Sequence, residues 1–461
     1  MAVLSSDLIR QGASGASTGF TINQSIRFDT DNSPRMTRTF GTPSDGNKWT
    51  LSAWSKLGKP GNGMRLLEAG GSSGSEDFVG FGGSSGYEKL YFWKRTSSSY
   101  NYNLTSTQMF RDHSAWYHVV YVFDSSNTII TERMKAYVNG QRITDFSTET
   151  YPSSGLASRI NTAVEHRIGN PVYSSSNHAD GYIAEMHFLD GYAYGPEFFG
   201  EFKEDTDIWI PKDYTGSYGN NGFHIDGRDS SDLGDDESGN GNDFTTNGLV
   251  ATDQRTDSPT NNHATWNALL NRYPSYANGN IDVTMTTSNK WAKTVMNFTL
   301  PNTGTWYWEG QEFDLEINPA TAVGIVDSDV ENLIDKDLYN RFTTPMSTFT
   351  GLTVYSGPGQ SIDTYLYKNG VNTSTSATPI LSSSRLGFLW EPENNRFTIY
   401  DDGSQHTQFT SINAGNYVFG VQQATGGVTL NFRLFVEAND WTQTPSGITS
   451  ANALNTANIG S

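Results

Sequence analysis

The chain contains no cysteine in 461 residues. Disulfides, thiolate nucleophiles and thiolate metal sites are therefore excluded, and the fold must be held by packing alone or by association with other chains. No run of about 18 apolar residues could span a bilayer as a helix. No basic, apolar leader opens the sequence, so neither membrane insertion nor export by an ordinary signal is expected. Positive charge is also scarce. Lys and Arg total 30 against 49 Asp and Glu, a formal charge of −19, and nucleic acid or an anionic membrane is an unsuitable partner because both need clustered cations to displace counterions. Long stretches at helical spacing, coiled-coil heptads and fixed-period repeats are missing. So are a phosphate-cradling GxxxxGK[ST] pattern and a local Ser, His, Asp signature, which argues against nucleotide chemistry and triad hydrolysis.

What is present is aromatic and turn-rich: 25 Phe, 23 Tyr, 11 Trp and 46 Gly, with dense Ser, Thr and Asn. That is the composition of short strands joined by turns, and it predicts an all-β fold. Single cores stop growing near ~250–300 residues, so two domains are expected. Residues 48–56 read KWTLSAWSK, with Trp49, Leu51 and Ala53 on one face and Thr50 and Ser52 on the other, the pattern of a half-buried strand. Residues 116–123, WYHVVYVF, are apolar on both faces, as in a central strand covered above and below. Residues 134–138 run into Asn139 and Gly140, a hairpin dipeptide. Residues 182–189, YIAEMHFL, place Tyr182, Ala184, Met186 and Phe188 on one side. In the second half, TWYWE at 305–309, AVGIV at 322–326, FTIYD at 397–401 and VTLNFRL at 428–434 read as strands, the last with Val428, Leu430, Phe432 and Leu434 sharing a face. Residues 201–260 hold 14 acids against 4 bases and mark a boundary region. The expected organisation is an N-terminal arm at 1–20, a β-domain at 21–227, an acidic linker at 228–262, a second β-domain at 263–437 and a polar tail at 438–461.

The ordered set KWTLSAWSK, MRLLEAG, WYHVVYVFD, KAYVNG, HRIGN and DGYIAEMHFLDG resembles the strand sequence of the laminin-G or concanavalin A-like lectin family, over most of residues 25–227. The order GTWYWE, VGI, RLGFLWEPENNRFTIYDDG, NYVFGV and VTLNF resembles a SPRY domain over about residues 263–437. Both resemblances imply antiparallel β-sandwich domains of the jelly-roll kind in tandem. The second departs from its family at Tyr400, Asp401, Asp402 and Gly403, where the family usually shows an aromatic followed by Lys-Asn-Gly, so its binding loops do not carry over residue by residue. FTINQSIRFDTDNSPRMTRTF, SGNGNDFTTNGLVATDQRTDSPTNN and ALNTANIG resemble segments of tailed-bacteriophage virion proteins, particularly marine ones, in which lectin-like and SPRY-like modules are commonly paired.

Four groups of residues are candidates for chemistry. Glu312, Asp314 and Glu316 share a strand face, a spacing found in retaining glycoside hydrolases of the jelly-roll class, but the run follows WYWE within the SPRY-like pattern and reads as a solvated face. No catalytic residue is assigned, and no enzyme is expected. Asp236, Ser238 and Asn240, followed by Gly241, have the alternating oxygens of a calcium loop, although Asn247 stands where a bidentate Glu belongs. The laminin-G resemblance implies that calcium is a possible ligand; no other cofactor is expected. His178 with Asp180 and His187 with Asp190 are further pairs of metal-ligand type, yet no cluster is evident. Tyr100 and Tyr102 in SSSYNYN, with Tyr173 in a similar polar loop, are glycan-binding candidates, because sugar rings stack on flat apolar faces among amides and hydroxyls. The sequence thus reads as a virion protein, a tail-fibre or spike-like appendage displaying lectin-like domains toward host-surface glycan. The alternatives are a capsid-decorating or head-fibre protein and a polysaccharide-degrading glycoside hydrolase. Other tail or capsid proteins are the expected partners, the virion the expected location, and a homotrimer the expected state, since weak contacts gain from multivalency.

Overall fold

The computed structural model describes residues 19–59, 61–82, 88–173, 178–268, 274–286, 292–312, 321–328, 349–355, 363–376, 384–412, 415–423, 429–448 and 450–459. The fold is all-β and antiparallel, divided into two compact units that meet in sequence between Asn262 and His263. Among the described residues no helix is long and apolar enough to cross a membrane.

Residues 16–262 form the first unit, a sandwich of two eight-stranded sheets. The first sheet runs Gln141–Arg142, Met134–Val138, Trp116–Asp124, Lys48–Leu57, Gly181–Asp190, Ser25–Phe28, Gln254–Arg255, with Phe223–Ile225 also paired to Gly181–Asp190. The second runs Phe146–Thr150, Ser99–Met109, Lys89–Thr96, Ser75–Phe81, Met64–Ser72, Glu165–Ile168, Arg35–Thr39, Thr245–Asn247. Between them Trp49, Leu51, Ala53, Tyr121 and Phe123 meet Leu66, Val79, Phe92, Tyr102 and Leu104. The face predicted for Trp49, Leu51 and Ala53 is correct. Their strand is not half-buried, however: Thr50 and Ser52 are equally covered, because the segment after residue 190 lies across the outer face of this sheet. There Thr50 Oγ1 donates to Tyr192 O at 2.8 Å, and Val120, Val122 and Leu189 pack with Phe199 and Tyr214. The central strand Trp116–Asp124 is apolar on both faces for this reason. At the predicted hairpin, Asn139 and Gly140 have φ of 47° and 78°, the double left-handed geometry that a tight turn between twisted strands demands.

Two expectations fail here for identifiable reasons. Tyr182, Ala184, Met186 and Phe188 do not share a face. Pairing of Gly181–Asp190 with Lys48–Leu57 shifts between Ala184 and His187, where the bulge residue Glu185 has φ 46°. Tyr182 and Ala184 therefore face outward, whereas Met186 and Phe188 enter the core. Residues 228–262 are not a linker either. Thr245–Asn247 and Gln254–Arg255 extend one sheet each, Leu233 and Phe244 are buried in the core, and buried Asp257 accepts from Lys56 Nζ at 2.7 Å. The segment is held mainly by polar side chains bonded to backbone, which leave no apolar period in the sequence.

Residues 263–461 form the second unit. One sheet runs Pro274–Ala277, Asp282–Thr286, Thr429–Phe435, Trp306–Glu312, Arg385–Glu391, Arg396–Asp401, Ser404–Phe409; the other runs Lys293–Thr299, Tyr417–Gln423, Thr321–Asp327, Thr350–Tyr355, Asp363–Lys368, Val371–Ser376. Trp266, Trp308, Phe388, Phe397, Phe419 and Phe432 fill the space between them. Leu430, Phe432 and Leu434 face that core as predicted; Val428 lies outside the described residues. The described residues of the expected polar tail, 438–448 and 450–459, are folded onto this unit. Leu454 is buried, Trp441 meets Tyr307 edge to face at 5.0 Å, and the backbone N–H groups of Thr442 and Gln443 donate to buried Glu309 at 3.1 and 2.9 Å. Of the expected N-terminal arm, residues 1–18 lie outside the described residues.

Candidate functional site

A candidate surface for ligand contact lies on the second sheet of the first unit, on the face turned away from the core. Val79, Phe92 and Leu104 point inward, so Phe78, Trp93 and Asn103 point outward by strand alternation. Asn103, Trp93, Phe78, Glu68 and Arg167 are successive cross-strand neighbours in one row. Phe78 and Trp93 are 5.3 Å apart, and Trp93 meets Tyr100 edge to face at 5.9 Å. Arginines lie over this aromatic strip: Arg65 is 4.8 Å from the Phe78 ring, and Arg95 is 4.7 Å from Trp93 and 5.9 Å from Tyr100. Each arginine is ion-paired beneath, Arg65 to Glu68 and Arg95 to Glu76, and both carboxylates are fully buried. Burial pushes the Glu68 carboxyl up, opposed by Arg65, with Glu76 adding to the rise. Val172 N–H donates to Glu68 Oε1 at 3.1 Å, tethering the loop that carries Tyr173, and Tyr173 is close enough to Arg95 to interact electrostatically.

This arrangement separates the three predicted tyrosines. Tyr100 and Tyr173 are 52% and 37% exposed, and both interact electrostatically with Arg95. Tyr102 is 0% exposed and points the other way, its hydroxyl donating to Asp77 Oδ2 at 2.9 Å, so it cannot stack on a sugar. The cause is a one-residue bulge. Tyr100 pairs with Arg95 and Tyr102 with Lys94, leaving Asn101 as an extra residue that reverses the face expected from alternation.

The predicted calcium loop is otherwise employed. Asp236 Oδ1 accepts from the N–H groups of His224 and Ser238 at 2.8 and 2.9 Å, and Oδ2 accepts from Ser238 Oγ and Asn242 N–H, both at 2.8 Å. Asn240 Nδ2 donates to Gly219 O and Gly222 O at 2.8 and 2.9 Å. These hydrogen bonds brace a turn. Asp180 is likewise committed to Lys59 N–H at 2.9 Å and Thr30 Oγ1 at 3.2 Å. Asp190 accepts from Ser44 N–H, Asn161 Nδ2 and Asn221 N–H at 2.7, 2.6 and 3.0 Å, away from any histidine partner.

A cluster that the sequence does not reveal forms instead around His187. His187 and His224 are direct partners across adjacent strands, their rings stacked 4.1 Å apart at 16°. Glu185 Oε2 lies 2.7 Å from His224 Nε2 and 3.5 Å from His187 Nε2. Burial opposes charge on Glu185, but the hydrogen bonds from the two histidines outweigh it and hold its carboxyl down at about 2. Burial, reinforced by His224, lowers His187 to about 4, so the pair presents an ionised carboxylate to a neutral His187 at pH 7. The 36 residues between His187 and His224 hide the pairing, because register is invisible in the sequence.

In the second unit, Glu312 ends the strand Trp306–Glu312, and burial raises its carboxyl to about 8. Asp314 and Glu316 lie outside the described residues.

A family model described as the concanavalin A-like lectin/glucanases superfamily matches residues 29–194, so this part of the first unit is similar to that superfamily. Similar solved structures include the SPRY domain of human HERC1, 12% identical over 33% of this chain and 87% of that one, with a TM-score of 0.25. The TRIM65 PSpry domain is 13% identical over 38% of this chain and 93% of that one, with a TM-score of 0.28. The heptameric SAP-like pentraxin from Limulus polyphemus is 15% identical over 37% of this chain and 78% of that one, with a TM-score of 0.27. No curated protein matches the chain.

Proposed function

We propose that the chain is a glycan-binding protein that holds sugar on the outer face of the second sheet of residues 16–262, with Tyr100 and Tyr173 as stacking platforms and Arg95 as the donor to hydroxyls. The observation that carries this reading is exposed Tyr100 beneath a fixed guanidinium, with exposed Tyr173 on the loop tethered to Glu68, in the part of the chain similar to lectins. The apolar ring faces suit the C–H face of a pyranose. Arg95, tied to buried Glu76, presents its remaining N–H groups without losing much side-chain freedom on binding. The proposed activity is binding without cleavage: Glu68 and Glu76 are each locked to an arginine and fully buried, a poor state for an acid or a nucleophile.

The setting proposed for this binding is a tailed-bacteriophage particle, as a tail-fibre or spike-like appendage or a capsid-decorating protein, in homotrimeric form. It rests on the resemblance of residues 20–40, 238–262 and 453–460 to virion proteins. Calorimetric titration of the full chain with a panel of bacterial surface oligosaccharides tests the binding. Tyr100→Ala is expected to weaken affinity about tenfold, equivalent to ~1.4 kcal/mol. An affinity unchanged by Tyr100→Ala and by Tyr173→Ala places the sugar elsewhere.

A further inference from the structure

We propose that Glu185, His187 and His224 form a binding site for one divalent transition-metal ion of the zinc class, seated on the outer face of the first sheet of residues 16–262. Two imidazoles and one carboxylate are a donor set that suits zinc and its neighbours, whereas calcium and magnesium take oxygen ligands. The three donor atoms lie within 4.8 Å of one another. Ligands ~2.0–2.1 Å from a tetrahedral ion sit roughly 3.3 Å apart. The separations of 2.7 and 3.5 Å from Glu185 Oε2 to the two Nε2 atoms bracket that value, so a small opening of the His224 contact admits the ion.

The backbone places these donors before any ion arrives. His187 and His224 are held opposite each other by the pairing of Gly181–Asp190 with Phe223–Ile225. Glu185 is the bulge residue, in a left-handed conformation rarely adopted by a side-chain-bearing residue inside a strand. Without the bulge, Ile183 and Met186 could not both reach the core while His187 faces outward; the inserted residue satisfies both faces and sets a carboxylate beside the imidazoles.

Orienting groups surround the donors as they do in built metal centres. The Tyr218 hydroxyl is 3.0 Å from His187 Nδ1, which leaves Nε2 turned to Glu185. Asp236 fixes the backbone of His224 through its N–H at 2.8 Å. Phe199 and Tyr214 pack on the His187 ring at 5.5 and 5.9 Å. The side chains of His187, Glu185 and His224 are 5%, 8% and 10% exposed, so the cluster is enclosed, and a bound solvent molecule would supply a fourth ligand. An ion there ties the short strand Phe223–Ile225 to the centre of the sheet. The competing description is a metal-free cluster in which both imidazoles donate to one carboxylate.

Untagged protein comprising all 461 residues, stripped with a chelator, is titrated with zinc chloride, and cobalt(II) is then used as a spectroscopic substitute. One zinc per chain, a raised Tm, and a visible cobalt band of low-symmetry nitrogen and oxygen ligation displaced by zinc are expected. Glu185→Gln, which keeps the shape and removes the charge, should weaken binding, and Tyr218→Phe should weaken it roughly tenfold. No zinc bound, or equal binding by Glu185→Gln, overturns the proposal. A cobalt spectrum of all-oxygen, six-coordinate character does so on the unaltered chain, whether or not a variant folds.

Discussion

Replacing Asp257 with Ala tests whether the acidic segment belongs to the first unit. Its carboxylate accepts from Lys56 Nζ at 2.7 Å and from Trp116 Nε1 at 3.0 Å, and Lys56 and Asp257 are 0% and 2% exposed in their side chains. Removing one partner of a buried ion pair costs about 3–5 kcal/mol, because the other charge stays buried without compensation. A buried indole N–H stripped of its acceptor adds roughly 1–3 kcal/mol. The two losses share one network and do not simply add; Asn262 Oδ1 also remains 2.8 Å from Lys56 Nζ. A loss of about 4 kcal/mol is therefore expected. At roughly 2–4 °C per kcal/mol for a unit of this size, Tm falls by about 8–16 °C. Scanning calorimetry of the full chain reads the shift, with exposed Glu237→Ala, in the same acidic segment, as the control that leaves the transition in place. An Asp257→Ala shift no larger than the control's refutes the reasoning and restores the segment as a linker.

The C-terminal segment has an equivalent lever: Glu309 accepts from Arg385 Nε at 2.7 Å as well as from Thr442 and Gln443, so Glu309→Ala should lower the second unit's transition by about 3–5 kcal/mol and speed proteolysis after residue 437. Burial raises Asp29 from 3.8 to about 6, with Asp180 and Asp31 adding to the rise. The folded state thus holds that proton more tightly than the unfolded chain, and stability should decline as pH rises from about 4 to 6, a decline that Asp29→Asn flattens in urea titrations. By the same sign, Glu312→Gln should be the more stable form above pH 8. Incubation of the wild type with host polysaccharide should release no reducing sugar, and turnover lost in Glu312→Gln would make the second unit an enzyme.

Alternation of apolar residues exposed most of the framework. Trp49, Leu51 and Ala53, the two-faced strand at 116–124, the Asn139–Gly140 turn and Leu430, Phe432 and Leu434 all follow from period two and turn chemistry. What escaped that reading depends on single inserted residues or on register. Asn101 reverses Tyr102, Glu185 splits the faces of its strand, and the partnership of His187 with His224 needs the sheet itself. Segments fixed by polar bonds to backbone, such as 228–262, look like linkers because hydrogen bonding leaves no periodic mark. Ser52 was legible as polar but not as buried, since its partner is His118 Nε2 at 2.8 Å under a covering layer formed much later in the chain.

Glycan binding through the Tyr100–Arg95–Tyr173 surface is tested most directly by a bacterial glycan array probed with the wild-type chain and with Tyr100→Ala/Tyr173→Ala. Both side chains are exposed, so the double variant should keep the wild-type melting curve. Selective binding of the wild type to one class of surface glycan, with the signal lost in the double variant, is the predicted result. A wild type that binds nothing on the array, or a double variant that binds as strongly as the wild type, contradicts it.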